Sequence, residues 1–255
     1  MNNSKSKKKL LQKLLKGIET GDPEAATVVN EQKYIQHNPQ THEGSEGLGA
    51  LFSRLSKTSP KVRFVRVFED GNFAFAHNEY DFNNLKAAFE IFRFEDGQAV
   101  EHWDNIQPKF GPNQSGRDML DGPTEITDLD RTEDNRERVR CYVNEVLIKR
   151  SFSQICDFVE ENFHQHNPDL ADGTVPLLSQ LKATTDGKPD LQYETLHHLL
   201  AEGNFVLSLS EGRRNDIPTS FCDLYRLKDG KIVEHWDTIE TIAPRTEWKN
   251  ANGKF

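Results

Sequence analysis

The sequence predicts an α+β fold in two tandem copies, each a set of helices packed on one face of an antiparallel sheet. Three observations predict it. First, Glu101-His102-Trp103-Asp104 returns as Glu234-His235-Trp236-Asp237, and each copy follows an apolar run broken by Asp-Gly (Asp96-Gly97, Asp229-Gly230). Apolar run, Asp-Gly turn, apolar run is a hairpin pattern. Second, two earlier landmarks recur in the same order. Gln36-His37-Asn38-Pro39 returns as Gln165-His166-Asn167-Pro168, and Gly71-Asn72-Phe73 as Gly203-Asn204-Phe205. The spacing is about 130 positions throughout, as expected of a duplicated domain with small loop insertions. Third, helical periodicity precedes strand periodicity in both halves, which is the order of an α+β domain.

The elements follow in order. Leu10, Leu11, Leu14, Leu15 and Ile18 form an apolar stripe at helical spacing, which Gly21-Asp22-Pro23 ends. A second helix is expected from Ala25 to Lys33, and a third from Glu46 to Ser56 carrying Leu48, Leu51, Phe52 and Leu55. Strands are expected over 61–69, 73–82, 87–95 and 98–106. In the second copy, Val139, Tyr142, Val143, Val146 and Leu147 make the first stripe. Ile155, Phe158 and Val159 make the next, and Val175 to Leu181 the third. Strands are then expected over 190–200, 204–211, 219–227 and 231–241. The domains are expected at 1–112 and 134–255, joined by a Gly-, Pro- and acid-rich linker at 113–133. Asn113 to Gly116 and Asn250 to Gly253 share an Asn-x-x-Gly pattern, so a similar tail is expected after each sheet.

Composition narrows the function. The net charge of −9 argues against a nucleic-acid partner, and the lysines at Lys5 and Lys7–Lys9 read as a solvated helix start. No apolar stretch nears the roughly 20 residues of a membrane span. Cys141, Cys156 and Cys222 are widely spaced, which suits reduced, buried thiols and a cytoplasmic protein. There is no His-x-x-x-His or Cys/His cluster, so no metal is expected, and no Gly-x-Ser-x-Gly elbow.

Strand alternation selects the candidate chemistry. His102 and Asp104 share one face of their strand, and Glu101 and Trp103 the other. His77 and Glu79 likewise share a face. A carboxylate in an apolar cavity has its pKa raised and can serve as a base, and a neighbouring histidine or protonated acid can donate to a developing enolate. The same His-Asp pair also serves as an ordinary buried hydrogen bond. His37 and His166 suit a helix cap and a turn as well as a pocket mouth. Trp103 and Trp236 are expected to pack outward, so that the two domains form an internal pseudo-dimer. Whether such chains pair again as a homo-oligomer stays open.

These residues carry a resemblance. Tyr34-Ile35-Gln36-His37-Asn38-Pro39, the Gly44 to Leu48 helix start, and the Phe92-Arg93 run through Gly97 to Val100-Glu101-His102-Trp103-Asp104 resemble the SnoaL-like polyketide cyclase group of the nuclear transport factor 2-like superfamily. The resemblance spans nearly the whole chain as two copies. It implies cone-shaped domains, each a strongly curved sheet enclosing a small-molecule pocket, and chemistry without metal or cofactor. It implies that Asp104 and Asp237 face the pockets, with Glu90 and Phe92 turned inward beside them. The first cone would then gather His37, His77, His102, Glu79, Glu90 and Asp104, with Tyr34 and Phe92 as binding residues. The second would gather His166, Glu211, Asp223, His235 and Asp237. Limonene epoxide hydrolase-like members carry Arg-x-Asp two strands earlier. Here His77-x-Glu79 and Leu209-x-Glu211 stand at those positions, which counts against epoxide hydrolysis.

Two functions follow. One is acid/base catalysis on a small carbonyl compound: aldol-type condensation, cyclisation or isomerisation. The other is a binding or scaffold protein with an inert pocket. Leu209 replaces His77 in the second copy. That difference favours the first cone as the proton-transfer site, with Glu211 expected to be protonated, water-bonded, or paired with Arg213 or His235.

Overall fold

The structure is a computed structural model that describes residues 6–255, apart from the side chains of Ser45, Glu46, Leu48, Phe52 and Ser56. The expectations for Lys5, Leu48 and Phe52 lie outside the described residues. The chain divides into two compact units. Unit 1 is Met1–Pro108 with Ala243–Phe255, and unit 2 is Lys109–Ile242. Each holds one five-stranded sheet with helices, the α+β class expected.

In unit 1, α1 (Lys7–Thr20) buries Leu10, Leu11, Leu14, Leu15 and Ile18. It stops where Gly21 takes a positive φ of 69° and its N–H caps Gly17. The helix expected over Ala25–Lys33 is instead a 3-10 turn at Pro23–Val28, started by Asp22, whose side chain accepts from the Glu24 N–H. Val29 then bridges to Ala99, so the backbone is already leaving helical geometry. β1 (Ile35–Gln36) follows, then α2 (Gly44–Ser56), whose Leu51 and Leu55 pack on the core. The sheet is completed by β2 (Lys61–Asp70), β3 (Phe73–Asp81), β4 (Leu85–Glu95) and β5 (Gln98–Pro108). The strand order is β1-β5-β4-β3-β2. β1 runs parallel to β5, so the sheet is mixed rather than wholly antiparallel.

In unit 2, α3 (Thr132–Cys141) continues as a π-helical stretch, Tyr142–Ile148. The short α4 (Ile155–Phe158) leads into β6 (Val159–Gln165), then α5 (Thr174–Lys182) and a small hairpin of β7 (Thr184–Thr185) and β8 (Lys188–Pro189). The main sheet adds β9 (Leu191–Glu202), β10 (Phe205–Arg214), β11 (Ile217–Lys228) and β12 (Lys231–Thr241). Its order, β6-β12-β11-β10-β9, matches position for position the order in unit 1, with β6 again parallel to its neighbour.

Both parallel edge strands escape the sequence reading, because two to seven residues beside a helix show no usable period. The linker expected at 113–133 carries the start of α3 at Thr132. Of the three free thiols only Cys222 is buried, and Cys156 is exposed. None of the described helices is long and apolar enough to cross a membrane.

Candidate functional site

Register builds the same arrangement in each unit. In unit 1, β4 and β5 set Glu90 opposite Asp104 and Phe92 opposite His102. In unit 2, β11 and β12 set Asp223 opposite Asp237 and Tyr225 opposite His235. Two carboxyl groups directly across a strand pair repel when both are charged. All four are buried, so water screens little of that repulsion.

The edge strand supplies the next layer. β1 places Gln36 beside His102, and β6 places Gln165 beside His235. Gln36 Oε1 accepts from the Asn38 N–H at 2.8 Å and lies 2.9 Å from His102 Nδ1. Gln165 Oε1 accepts from the Asn167 N–H at 2.9 Å and lies 3.0 Å from His235 Nδ1. A backbone N–H can only donate, so each amide must present its oxygen, and each imidazole therefore carries a proton on Nδ1. The other ring nitrogen meets a carboxyl group: His102 Nε2 to Glu90 Oε2 at 2.6 Å, and His235 Nε2 to Asp223 Oδ1 at 3.0 Å. Tyrosines complete the chains. Tyr80 donates to Glu90 at 2.7 Å, and Tyr193 to Asp223 at 3.2 Å. Asn38 Nδ2 donates to Asp104 Oδ2 at 2.6 Å, as Asn167 Nδ2 does to Asp237 Oδ2 at 2.7 Å.

The two units part at the second oxygen of the aspartate. Asp104 Oδ1 lies 3.3 Å from Nζ of Lys254, both side chains being almost fully buried. Burial alone would raise the Asp104 carboxyl, but the Lys254 ammonium, with His102 and Asn38, holds it below the usual carboxylate range. Asp237 Oδ1 is buried and has no hydrogen-bond partner among the described residues. Burial pushes Asp237 up to about 6, with the charge of Asp223 adding to the rise and His235 opposing it. Burial works against a charge on His235, yet its hydrogen bond to Asp223 and the charges of Asp237 and Asp223 prevail and raise it. Burial likewise raises Glu90, against the pull of His102.

Asp237 faces a cavity of about 20 Å³, room for a water molecule. Its wall is mainly apolar and aromatic, with Tyr142, Phe163, Leu177, Tyr193, Tyr225 and Ile239 beside Asp223 and His235. The π-helical stretch helps shape it, because Tyr142 and Leu147 both reach the cavity from those wide turns.

Of the sequence-predicted residues, the structure gathers Glu90, His102 and Asp104 in unit 1, and Asp223, His235 and Asp237 in unit 2. Phe92 stacks on His102 with ring centroids 4.2 Å apart. Tyr34 is buried nearby, its phenol raised by burial and by the charges of Glu90 and Asp104. The expectations for five residues are corrected. His77 and Glu79 lie on the opposite face of the sheet, because β3 sets His77 across from Phe89 and Ala76 across from Glu90. His77 bonds Arg66 and stacks on Phe89, while Glu79 pairs with Arg63. Glu211 also points outward and pairs with His197, neither with Arg213 nor with His235. His37 and His166 sit on the Trp face. His37 stacks on Trp103 and bonds Glu101, and His166 stacks on Trp236 and bonds Glu234. In each Gln-His-Asn run, then, the Gln meets the site histidine and the Asn the site aspartate, while the His between them bonds Glu101 or Glu234. The sequence reading missed Gln36, Asn38, Gln165, Asn167, Tyr80, Tyr193 and Lys254. Alternation about the two histidines would have exposed the amides once the edge strands were known.

A metal ion could draw on the same three residues in either unit, whose ligand atoms lie within 4.8 Å of one another. In unit 2 His235 Nε2 and Asp223 Oδ1 already share a hydrogen bond, and a metal that took those two atoms would have to displace the proton between them.

Comparison with known proteins gives a family match over part of the chain. The SnoaL-like polyketide cyclase profile matches residues 137–247. No curated protein matches the chain. Among solved structures, TsrD from Streptomyces laurentii is 21% identical over 42% of this chain and 92% of its own, with a TM-score of 0.37. An NTF2-like protein from Cytophaga hutchinsonii is 22% identical over 42% of this chain and 96% of its own, with a TM-score of 0.36. An M. tuberculosis LEH-like epoxide hydrolase is 18% identical over 43% and 85%, with a TM-score of 0.35. Residues 137–247 form a SnoaL-like domain.

Proposed function

We propose that unit 2 carries out proton transfer on a small carbonyl compound, with Asp237 as base and His235 as donor, and that unit 1 is a duplicate of the same domain whose site is filled from within. The observation that carries the reading is Asp237 Oδ1: a buried carboxyl oxygen, without a hydrogen-bond partner among the described residues, on a side chain that lines a mainly apolar cavity. A base needs a pKa near the working pH, and burial lifts this one to about 6. Next to it His235 keeps a proton on Nδ1 for Gln165, and its bond to Asp223, together with the charges of Asp237 and Asp223, favours a second proton on Nε2 against the effect of burial. Asp237 would take a proton from the carbon beside the carbonyl. The enolate oxygen that forms would be met by the His235–Asp223 pair, and the proton would return to carbon to complete an isomerisation. The cavity is small, so a substrate requires outward movement of α5, whose Leu177, Gln180 and Leu181 line it.

Duplication is supported by identical strand order in the two sheets and by the paired Gln-His-Asn, Glu/Asp and His-x-Asp positions. The first unit fits the scaffold reading better, because Lys254 already neutralises its aspartate.

The test is hydrogen exchange in heavy water. The protein is incubated with a panel of small ketones and β-keto esters, and deuterium at the α-carbon is followed by mass spectrometry. Wild type and Asp104→Asn should exchange a member of the panel, and Asp237→Asn should not. Exchange that survives Asp237→Asn, or that disappears only with Asp104→Asn, defeats the assignment.

A further inference from the structure

The interior of unit 1 contains a buried ammonium, and nothing in the proposed chemistry of unit 2 uses it. Lys254 Nζ lies 3.3 Å from Asp104 Oδ1 with 2% and 5% of the two side chains exposed. The charge count in unit 1 explains its presence. Glu90 and Asp104 stand opposite each other across β4 and β5, and Glu90 already has His102 and Tyr80. Asp104 has a neutral amide, Asn38, and would otherwise be an uncompensated buried charge. Lys254 supplies the missing cation.

The lysine arrives on a segment clamped to the edge of the sheet. Lys249 N–H donates to Pro39 O, Asn250 Nδ2 to Asn38 O and Thr41 O, and Asn252 Nδ2 to Gln36 O. His37 Nδ1 meets Gly253 O at 3.1 Å. Residues other than Lys254 therefore contribute to this grip.

The second Asn-x-x-Gly segment, Asn113 to Gly116, is likewise followed by a cation, Arg117. In unit 2 that segment also grips the edge strand, Asn113 Nδ2 donating to Gln165 O. Yet Arg117 turns away from Asp237 and forms a two-pronged pair with Asp172. The same segment can thus carry its cation inward, as in unit 1, or outward, as in unit 2. The position matching Asp172 in unit 1 is Glu43, which accepts from Asn252.

From this geometry we propose that the interior of unit 1 is a binding site for a primary alkylammonium group, anchored by Asp104, and that Lys254 is its tethered resident. A free ligand of this class is a small amine on an apolar stem, entering as Lys254 leaves. The inference does not depend on unit 2 being catalytic.

The experiment uses the full chain and butylammonium chloride, a copy of the lysine side chain, with sodium chloride at equal ionic strength as control. Lys254→Ala should melt lower than wild type. Butylammonium should recover at least half of that loss in a saturable way, where sodium chloride does not. Lys254→Ala with Asp104→Asn should show no such recovery. Lys254→Met, which keeps the apolar stem, repeats the test should the alanine variant fold poorly. In wild type, acetylation of Lys254, read by peptide mass spectrometry, should be slow and should quicken several-fold with butylammonium, while exposed lysines do not change. Recovery equal to that in sodium chloride, recovery that persists without Asp104, or an acetylation rate indifferent to butylammonium overturns the proposal. None of these readouts involves carbonyl exchange, so failure here and failure of the unit 2 assignment are separable.

Discussion

Asp104 and Asp237 occupy the same place in the same sheet, with the same amide on one oxygen and the same histidine two residues before. They differ in a single partner. One has an ammonium on its second oxygen and titrates low; the other has none there and titrates near 6. The comparison shows how a fold can hold two facing acids in a dry interior. Either a cation joins them or one acid keeps its proton. The first solution gives a stable, filled core, and the second leaves a group poised for proton transfer.

The largest effect expected from breaking this comparison is on catalysis. Asp237→Asn should lower α-carbon exchange by at least about 100-fold, the lower end of what a positioned base contributes, as measured by deuterium incorporation. The same change should leave stability equal or higher, because a poorly solvated acid is removed. In unit 1, removing one partner of the buried pair by Lys254→Met or Asp104→Asn should destabilise the protein by about 3–5 kcal/mol. Changing both should recover most of that loss. Calorimetric melts of the four proteins give the coupling directly. A loss in the double variant equal to the sum of the two single losses would show that the pair contributes nothing.

Acid should separate the units by sign. Asp237 has a folded pKa near 6, above its ordinary 3.8, so the folded state binds the extra proton between those values. Stability from unit 2 should therefore fall by about 2 kcal/mol as pH rises from 4 to 6. Asp104 is depressed, so its contribution is present above 3.8 and is lost as pH falls below it. Denaturation curves from pH 3 to 7 should show the first trend vanish in Asp237→Asn and the second in Asp104→Asn. Exchange should rise through about pH 6 as Asp237 ionises, then decline at higher pH as His235, whose pKa is raised, loses its proton.

The smallest effect sharpens the comparison at the tyrosines. Tyr80 donates to Glu90 at 2.7 Å, and Tyr193 to Asp223 at 3.2 Å. Tyr80→Phe should cost about 1–2 kcal/mol, and Tyr193→Phe less than about 1 kcal/mol. Equal losses by chemical denaturation would mean that the two chains are held alike.

The eight long strands were legible because their alternation and Gly-turn punctuation are strong local signals. The inward pairs His102 with Asp104, and His235 with Asp237, followed from the same alternation. β3 defeated it. Both of its faces are apolar, with Ala74, Ala76 and Tyr80 on one and Phe75 and His77 on the other, so hydrophobicity does not reveal which faces inward. Only pairing with β4 settles that. The amides of the Gln-His-Asn runs were hidden by an edge strand too short to show a period, and the more reactive histidine between them drew the attention. Lys254 was out of reach altogether, because its role depends on a long-range contact that no local pattern encodes.

Unit 1 is made first and finished last. Its closing segment, Ala243–Phe255, follows the whole of unit 2 in the chain. At a synthesis rate of 5–20 residues per second, roughly 7 to 30 seconds separate the end of β5 from the arrival of Lys254. Through that interval Asp104 has no ammonium, and the nascent unit 1 has the same facing acids as unit 2. It should meet them as unit 2 does, by holding a proton, and release that proton when the lysine docks.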